Sequence, residues 1–349
     1  MMRVLLTGGT GYLGYPVGRA LAATGAWVVR LDTGFFTEGT LPVDPVETVR
    51  ADTRDLDAGD LAGYDAVVHL AELSNDALGS LDAALTVAIN ERATARLAQL
   101  ARRAGVPRFV YVSSCSVYGA TDGNVVDERS PTNPLTQYAR SKLVAESAVL
   151  QLGGPAFTPV VLRLATAYGS SAALRLDLVV NDLVHAAVST GRVVVRSDGT
   201  AWRPFVHVGD IAAAITRAAQ ADRADVSGQI VNVGSVRSTR RIADLATEVC
   251  ERFDAELIIE SESTDNRSYR VSFARMAGVL GSDLTFRTLT DGMADLGRFL
   301  TDNRLEISAR GEDRFRRLTT LDALMRDGRL SSSLTWVGKR PVTRLKESV

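Results

Sequence analysis

Short β-branched runs alternate with stretches of helical periodicity through the first half of the chain. Arg3–Thr7 reads as a buried strand, followed by a glycine-rich turn and a helix over residues 12–24. Residues 27–31, 66–70 and 108–113 read as further strands, with helical sequence between them, for example over 81–104. A long helix is expected over 135–152 and a strand over 160–164. Apolar strands alternating with helices imply a parallel sheet covered on both faces. Beyond residue 170 the rhythm loosens. Residues 175–189 and 244–253 look helical, the latter with Ser238 or Thr239 available as a cap, and 192–195, 229–233 and 257–260 look extended.

This pattern predicts an α/β chain built on a Rossmann-type, doubly wound parallel sheet with a smaller C-terminal α/β lobe. The expected organisation is a nucleotide-binding sheet over 1–170 and a substrate lobe over 171–302 interleaved with returns to the sheet. A basic extension follows over 303–349. From Asn303 onward eleven Lys/Arg stand against six Asp/Glu. There Phe315, Leu318, Leu321 or Asp322, and Met325 fall at helical spacing, with Gly328 placed to end the helix. The simple reading is an appended helix and a frayed tail. The alternative is a basic contact surface for an acidic ligand or another subunit.

Composition narrows the classes. With 349 residues, 46% hydrophobic and 23% charged, the chain is long enough for one large domain or two, and disordered, collagen-like and disulfide-scaffold classes are excluded. A net charge of -1 provides no overall electrostatic footprint for nucleic acid. Two cysteines, Cys115 and Cys250, cannot form a disulfide framework and favour a reducing compartment. His69, His185 and His207 are far apart, so no metal site is expected. Neither a signal peptide nor a membrane span is legible, and a soluble cytoplasmic protein is expected.

Thr7-Gly8-Gly9-Thr10-Gly11-Tyr12-Leu13-Gly14 follows the first strand and opens the first helix. Glycines at Gly8, Gly11 and Gly14 let backbone approach a pyrophosphate, which the helix N-terminus attracts. The second strand ends at Asp32, where a carboxylate can accept hydrogen bonds from the adenosine ribose diol and repel a 2′-phosphate. NAD is therefore expected over NADP, although Arg30 is two residues earlier on the same strand. Asp52 and Thr53, after a further possible strand, could meet the adenine edge. Tyr138 and Lys142 are four apart and share one face of a predicted helix. An ammonium group beside a phenol favours its ionised, basic form. Upstream, Ser113-Ser114-Cys115-Ser116-Val117-Tyr118-Gly119 closes a strand expected to be central, where ligands of open α/β sheets bind.

With Val68-His69-Leu70-Ala71, Ile89-Asn90, Leu162-Arg163 and Arg203-Pro204-Phe205-Val206-His207-Val208 added, the chain resembles the extended short-chain dehydrogenase/reductases. The likeness is to their NAD-dependent epimerase/dehydratase branch, over roughly residues 2–300. The resemblance implies action on nucleotide-activated sugars, with Ser114 binding the sugar oxygen, Tyr138 as base, and Lys142 holding the nicotinamide ribose. It implies that Gly8, Gly11, Tyr12, Leu13, Gly14, Asp32, Asp52, Thr53, Leu70, Ala71 and Asn90 hold NAD, with Tyr138 and Lys142. His69 fits a satisfied strand-end histidine. On the substrate side the resemblance implies Ser114, Ser116, Thr166 and Arg203, the last at the nucleotide diphosphate. Asn181 and Arg267 are candidate nucleotide contacts, with a capping or solvated role as the alternative. It also implies a homodimer built on long helices, with no nucleic-acid or membrane partner.

Departures from the family pattern narrow the reaction. Sugar-nucleotide 4,6-dehydratases place an acidic pair after the catalytic hydroxyl, where elimination needs an acid and a base. Here those positions are Cys115 and Ser116. The glutamate of family decarboxylases is missing for the same reason. In an extended segment Cys115 turns away from the side used by keto-sugar epimerases with a cysteine one residue later, and it reads as a packing residue. The uncharged Ser-Cys-Ser triplet resembles that of sugar C4 epimerases, although Thr166 stands where those typically have asparagine. The expected function is C4 epimerisation by transient oxidation. A 4-dehydrogenase or 4-ketoreductase is the alternative, supported by likeness to GDP-heptose 4-dehydrogenases around residues 163–182 and 267–271. A non-catalytic NAD-binding protein is the third reading, and the intact Tyr138 and Lys142 weigh against it.

Overall fold

The structure, a computed structural model, describes residues 1–43, 48–79, 82–121, 123–263 and 267–338, with backbone alone for 261–263. Seven parallel strands form the main sheet: β1 (Arg3–Thr7), β2 (Trp27–Asp32), β3 (Thr48–Arg50), β4 (Ala66–His69), β5 (Arg108–Ser114), β6 (Thr158–Leu164) and β7 (Ile230–Val233). Their spatial order is β3-β2-β1-β4-β5-β6-β7, every pair parallel. Strand order reverses between β1 and β4, which opens a crevice beyond their carboxyl ends. Central strands lie between helix layers and have no solvated face. Hence β4 and β6 are buried along their whole length, with the apolar runs 66–68 and 159–162 within them.

The helix Gly14–Ala23 follows the glycine-rich turn and packs Val17 and Leu21 into the core beside β1. The helix Gln137–Leu150 starts at Thr136, whose hydroxyl accepts from the Ala139 N–H at 3.1 Å. Its buried positions include Tyr138, Ser141, Lys142, Ala145, Glu146 and Val149, a 3–4 repeat that turns one face to the sheet. On that face Glu146 meets Arg163 of β6, with Nη2 to Oε2 at 2.7 Å. The Tyr118 hydroxyl accepts from Arg163 at 3.0 Å, and the Ser113 hydroxyl donates to Glu146 at 2.5 Å. Helix, β5 and β6 are thus fixed to one another directly beneath the crevice.

The second lobe is assembled from Thr166–Tyr168, Trp202–His207 and Thr239–Arg241 in one small sheet, and from Arg192–Ser197 paired with Glu256–Ser263. Helices Val179–Thr190, Ile242–Phe253 and Leu289–Asp302 close over a separate apolar cluster that includes Phe205, Leu245 and Met293. Because β7 returns to the main sheet from within this stretch, the lobe is interleaved rather than appended.

Several boundaries differ from the sequence expectation. The helix predicted from residue 175 starts only at Val179, because Arg175 and Asp177 precede it in an ion pair at 2.8 Å. Residues 83–103 are one helical path carrying a wide turn at Val87–Ala93. Neither Ser238 nor Thr239 caps the helix after them: it begins at Ile242, flanked by Arg241, with no side-chain cap. In the extension, Arg304–Arg310 precedes the anticipated helix, which spans Arg317–Arg326, and Gly328 follows at φ +67. The tail from 339 onward lies outside the described residues.

Removing one partner of a buried ion pair strands the other charge. Arg163→Ala is therefore expected to cost about 3–5 kcal/mol of folding stability, read by urea unfolding. A loss below about 1 kcal/mol would show that Glu146 is not relying on this arginine.

Candidate active site

The crevice is a cavity of about 1590 Å³, which runs from the glycine-rich turn, past Tyr138, to the second lobe. That exceeds the roughly 300–1,000 Å³ of an ordinary small-molecule site, so it has room for two extended ligands end to end. At one end Gly8 adopts φ +71, and a Cβ there would stand 2.9 Å from the Ala71 nitrogen and the Leu70 carbonyl carbon. At Gly14 a Cβ would collide with the Gly8 and Gly9 backbone. The turn can close only with glycine at these two places.

Asp32 closes the next stretch of wall. Its carboxylate accepts from the Thr10 N–H at 3.0 Å and the Gly34 N–H at 2.8 Å. Those bonds hold it at the mouth of the turn with acceptor sites left for a diol. Arg30 does not share this position. Its guanidinium packs over the Tyr15 ring at 5.4 Å and against Gly18, away from the cavity. Asp52 and Thr53 line the far end, where Asp52 is paired with Arg54 at 2.7 Å. Gly11, Tyr12, Leu13, Leu70 and Ala71 also line the cavity. This end fits a dinucleotide: a cradle that a Cβ would fill and a ribose-facing carboxylate.

At the middle of the cavity Ser114 ends β5, and Tyr138 and Lys142 rise from the helix opposite. The Ser114 hydroxyl stands beside Tyr138, where it favours the ionised phenol. Burial drives the Tyr138 phenol well above its ordinary range. Glu72 and Asp76 add to the rise, while Ser114 and Arg175 oppose it. Lys142 sits 5.7 Å from the centre of the Tyr138 ring, and its ammonium donates to Glu72 and, at 2.6 Å, to the Val112 carbonyl.

Glu72 escapes the sequence reading, although it directly follows the quoted Val68-His69-Leu70-Ala71 segment. Its carboxylate also accepts from the Tyr111 hydroxyl at 2.9 Å and the Thr94 hydroxyl at 3.0 Å. Burial raises its pKa, and the bond to Lys142 works against that rise. The expectation that the Lys142 ammonium favours ionised Tyr138 is therefore qualified, because Glu72 offsets that charge. Asp76 is a second missed carboxylate: it lines the cavity, accepts from Thr136 at 2.5 Å and pairs with Arg267.

On the substrate side Ser116, Thr166, Arg203 and Arg267 all line the cavity. The Ser116 hydroxyl is buried without a hydrogen-bond partner among the described residues. Arg203 lies over the Tyr269 ring at 5.1 Å. Two expectations need correction. Asn181 is wholly buried and its amide is used structurally, accepting from the Gly169 N–H at 2.9 Å and donating to Tyr12 and the Arg175 carbonyl. Asn90 is also wholly buried, and its amide clasps both backbone groups of Leu73 at 2.9 and 3.0 Å. Both asparagines brace the wall from behind and leave little to offer a ligand.

His69 lies between the Thr7 and Thr94 hydroxyls at 2.7 and 2.9 Å, and burial, with Lys142 nearby, lowers its pKa to about 3. It stays neutral and structural. Cys115 is buried, its thiol donates to the Arg163 carbonyl at 3.3 Å, and burial pushes its pKa up. Among the described residues no cluster of His, Cys, Asp or Glu could hold a metal ion, and no helix is long and apolar enough to cross a membrane.

A dinucleotide cradle and a Ser-Tyr-Lys group at the switch point of a parallel sheet define a short-chain dehydrogenase/reductase type of site. The family model described as NAD dependent epimerase/dehydratase family matches residues 4–234, and the chain belongs to that family. The human short-chain dehydrogenase/reductase family 42E member 1 is 30% identical over 64% of this chain, which spans only 59% of that relative. A UDP-glucose 4-epimerase of Mycolicibacterium smegmatis is 31% identical over 67% of this chain and 77% of its own length. A dTDP-glucose 4,6-dehydratase of Streptomyces niveus is 26% identical over 87% and 94%. Among solved structures, MoeE5 in complex with UDP-glucose and NAD is 28% identical, with a TM-score of 0.75 over 86% of this chain and 99% of that one.

Glu72→Gln removes a negative charge that opposes the phenolate, so the Tyr138 pKa falls. Wherever ionised Tyr138 limits the rate, the rising limb of the pH–rate profile is expected to move to lower pH by about one unit or more. An unmoved limb, or a shift to higher pH, would show that the phenol does not feel this charge.

Proposed function

We propose that the protein is a nucleotide-sugar epimerase acting by transient oxidation at sugar C4. The observation that carries this reading is the meeting of Ser114, Tyr138 and Lys142 in one cavity, where the end of β5, Ser113-Ser114-Cys115-Ser116, bears only uncharged side chains. Ser114 and Tyr138 bracket the position of one sugar oxygen, with the phenolate taking the hydroxyl proton and returning it after the ketone has turned. NAD, when bound, would supply the hydride acceptor and a positive charge that favours the phenolate. Lys142, held by Glu72 and the Val112 carbonyl, would hold the cofactor ribose. Ser116 offers its unpartnered hydroxyl to the sugar, and Arg203 and Arg267 are placed to meet the nucleotide diphosphate.

Elimination of water is disfavoured on the same ground. Both carboxylates that raise Tyr138 are already engaged: Glu72 by Lys142, Tyr111 and Thr94, and Asp76 by Thr136 and Arg267. A 4-dehydrogenase or 4-ketoreductase would use the same residues and differ in whether the ketone leaves. A homodimer through the outer face of the Tyr138 helix, where Val144 is half exposed, belongs to the same reading.

Purified protein supplied with UDP-, GDP- and dTDP-sugars is expected to interconvert a C4 pair without net NADH. A stable keto sugar with stoichiometric NADH would establish the dehydrogenase instead. Tyr138→Phe removes the proton acceptor and is expected to lower turnover about 10²- to 10⁴-fold with NAD affinity retained. Unchanged turnover would sink the mechanism.

A further inference from the structure

The C-terminal extension does more than finish the chain. Arg317, first residue of the helix Arg317–Arg326, is 2% exposed yet lines the same cavity. Its Nη2 donates to the Ala173 carbonyl at 2.8 Å, and its guanidinium lies 4.2 Å from the centre of the Phe36 ring. Its Nη1 is buried with no hydrogen-bond partner among the described residues. A buried guanidinium left with an open donor is costly unless an anion completes it.

The charged groups around it do not neutralise it. Asp177 is already bound in a two-pronged pair with Arg175 and accepts from Asn75. Asp32 is held by the Thr10 and Gly34 amides. Arg175 adds a second positive charge, so burial and that neighbour lower the Arg317 pKa to about 9. Tyr12, of the glycine-rich turn, is within electrostatic reach and lines the same cavity. The start of a ten-residue helix adds a positive dipole end at the same wall.

The extension is anchored firmly enough to present this group. Leu321, Leu324, Leu330 and Leu334 pack with Leu73, Leu78 and Leu85 from the segments after β4. At the Asp52 end, Arg54 donates to the Ser333 and Leu334 carbonyls at 2.8 and 2.9 Å, and the Trp336 indole donates to the Thr33 carbonyl at 2.8 Å. The extension therefore spans the outer side of the whole dinucleotide end.

We propose that Arg317 binds the diphosphate of the dinucleotide from the side opposite the glycine-rich turn, making the extension a clamp on the cofactor. The proposal rests on the NAD-binding reading of this cavity and adds a residue from outside the family match. A ribose 2′-phosphate is the other phosphate source, and the Asp32 carboxylate repels it.

The test titrates NAD, ADP, adenosine, 2′-AMP and UDP into the 349-residue chain and its R317Q and R317K variants, by calorimetry. R317Q is expected to weaken NAD and ADP about 10- to 100-fold and leave adenosine within about twofold, with R317K between wild type and R317Q. Wild-type affinity of R317Q for NAD and ADP overturns the proposal, as does an equal loss for adenosine, which would mark a purely structural wall. A larger R317Q effect on 2′-AMP or UDP than on ADP also overturns it by relocating the phosphate. Should R317Q not fold, hydrogen exchange on the wild-type chain decides. ADP is expected to slow exchange across residues 317–326 and adenosine not to, and no difference between them overturns the proposal. Failure of the wild-type chain to bind any dinucleotide would overturn the cofactor reading itself, whereas normal binding by R317Q removes the clamp alone.

Discussion

The site is organised around one buried ion pair, Lys142 with Glu72. A carboxylate and an ammonium removed from water must satisfy each other and their remaining hydrogen-bonding capacity, or one of them gives up its charge. Here the pair and its remaining partners come from four elements. Lys142 belongs to the helix Gln137–Leu150, Tyr111 and the Val112 carbonyl to β5, Thr94 opens the helix between β4 and β5, and Glu72 leaves the end of β4. The pair therefore ties the two central strands and two covering helices at the point where the crevice opens. The same pair sets the chemistry. A lysine beside a tyrosine would normally be read as an activator, but a lysine whose charge is matched by a glutamate activates far less. Burial and two carboxylates raise the Tyr138 pKa, so as the base of the proposed reaction Tyr138 would draw on positive charge brought by the bound cofactor.

The features most legible in the sequence are those whose chemistry demands a residue type at a fixed local spacing. Glycines at Gly8 and Gly14 are required because any Cβ would meet backbone, and that constraint is local to a strand-turn-helix unit. Tyr138 and Lys142 share a helix face by periodicity alone. Asp32 follows from the end of a strand whose neighbour is fixed by the same unit. Arg30 could be weighed only in three dimensions, because the gap left by Gly18 is what draws its guanidinium under the helix.

What stayed illegible depends on contacts between distant segments. Asn90 and Asn181 occupy motif positions, yet each amide is used up on backbone from another segment, at Leu73 and at Gly169. No local pattern distinguishes an asparagine that faces a ligand from one that holds the wall. Glu72 looks like an ordinary loop acid until Lys142 is brought beside it from seventy residues away. Arg317 is one of several arginines in a basic stretch, and only the fold selects it for burial while leaving Arg314 partly exposed. The extension thus reads in sequence as surplus charge, and in structure one of those charges faces the interior.

Both reactions open to this site share a first half, removal of a proton and a hydride from one carbon, and they part over what is retained. Internal return of the hydride requires that the reduced cofactor stay in place while the ketone turns. A dehydrogenase must instead release it in every cycle. The cofactor end of this cavity is covered by Phe36, Leu321 and Arg317, and its rim is tied by Arg54 and Trp336 to the last described turn of the chain. Opening it means parting an apolar cluster of leucines from β4-side loops as well as breaking hydrogen bonds. Among the described residues no comparable strap lies over the substrate end, where Arg203 and Arg267 line the wall. A covered cofactor end is the arrangement a recycling enzyme needs, and it supports the epimerase reading proposed above over release of NADH.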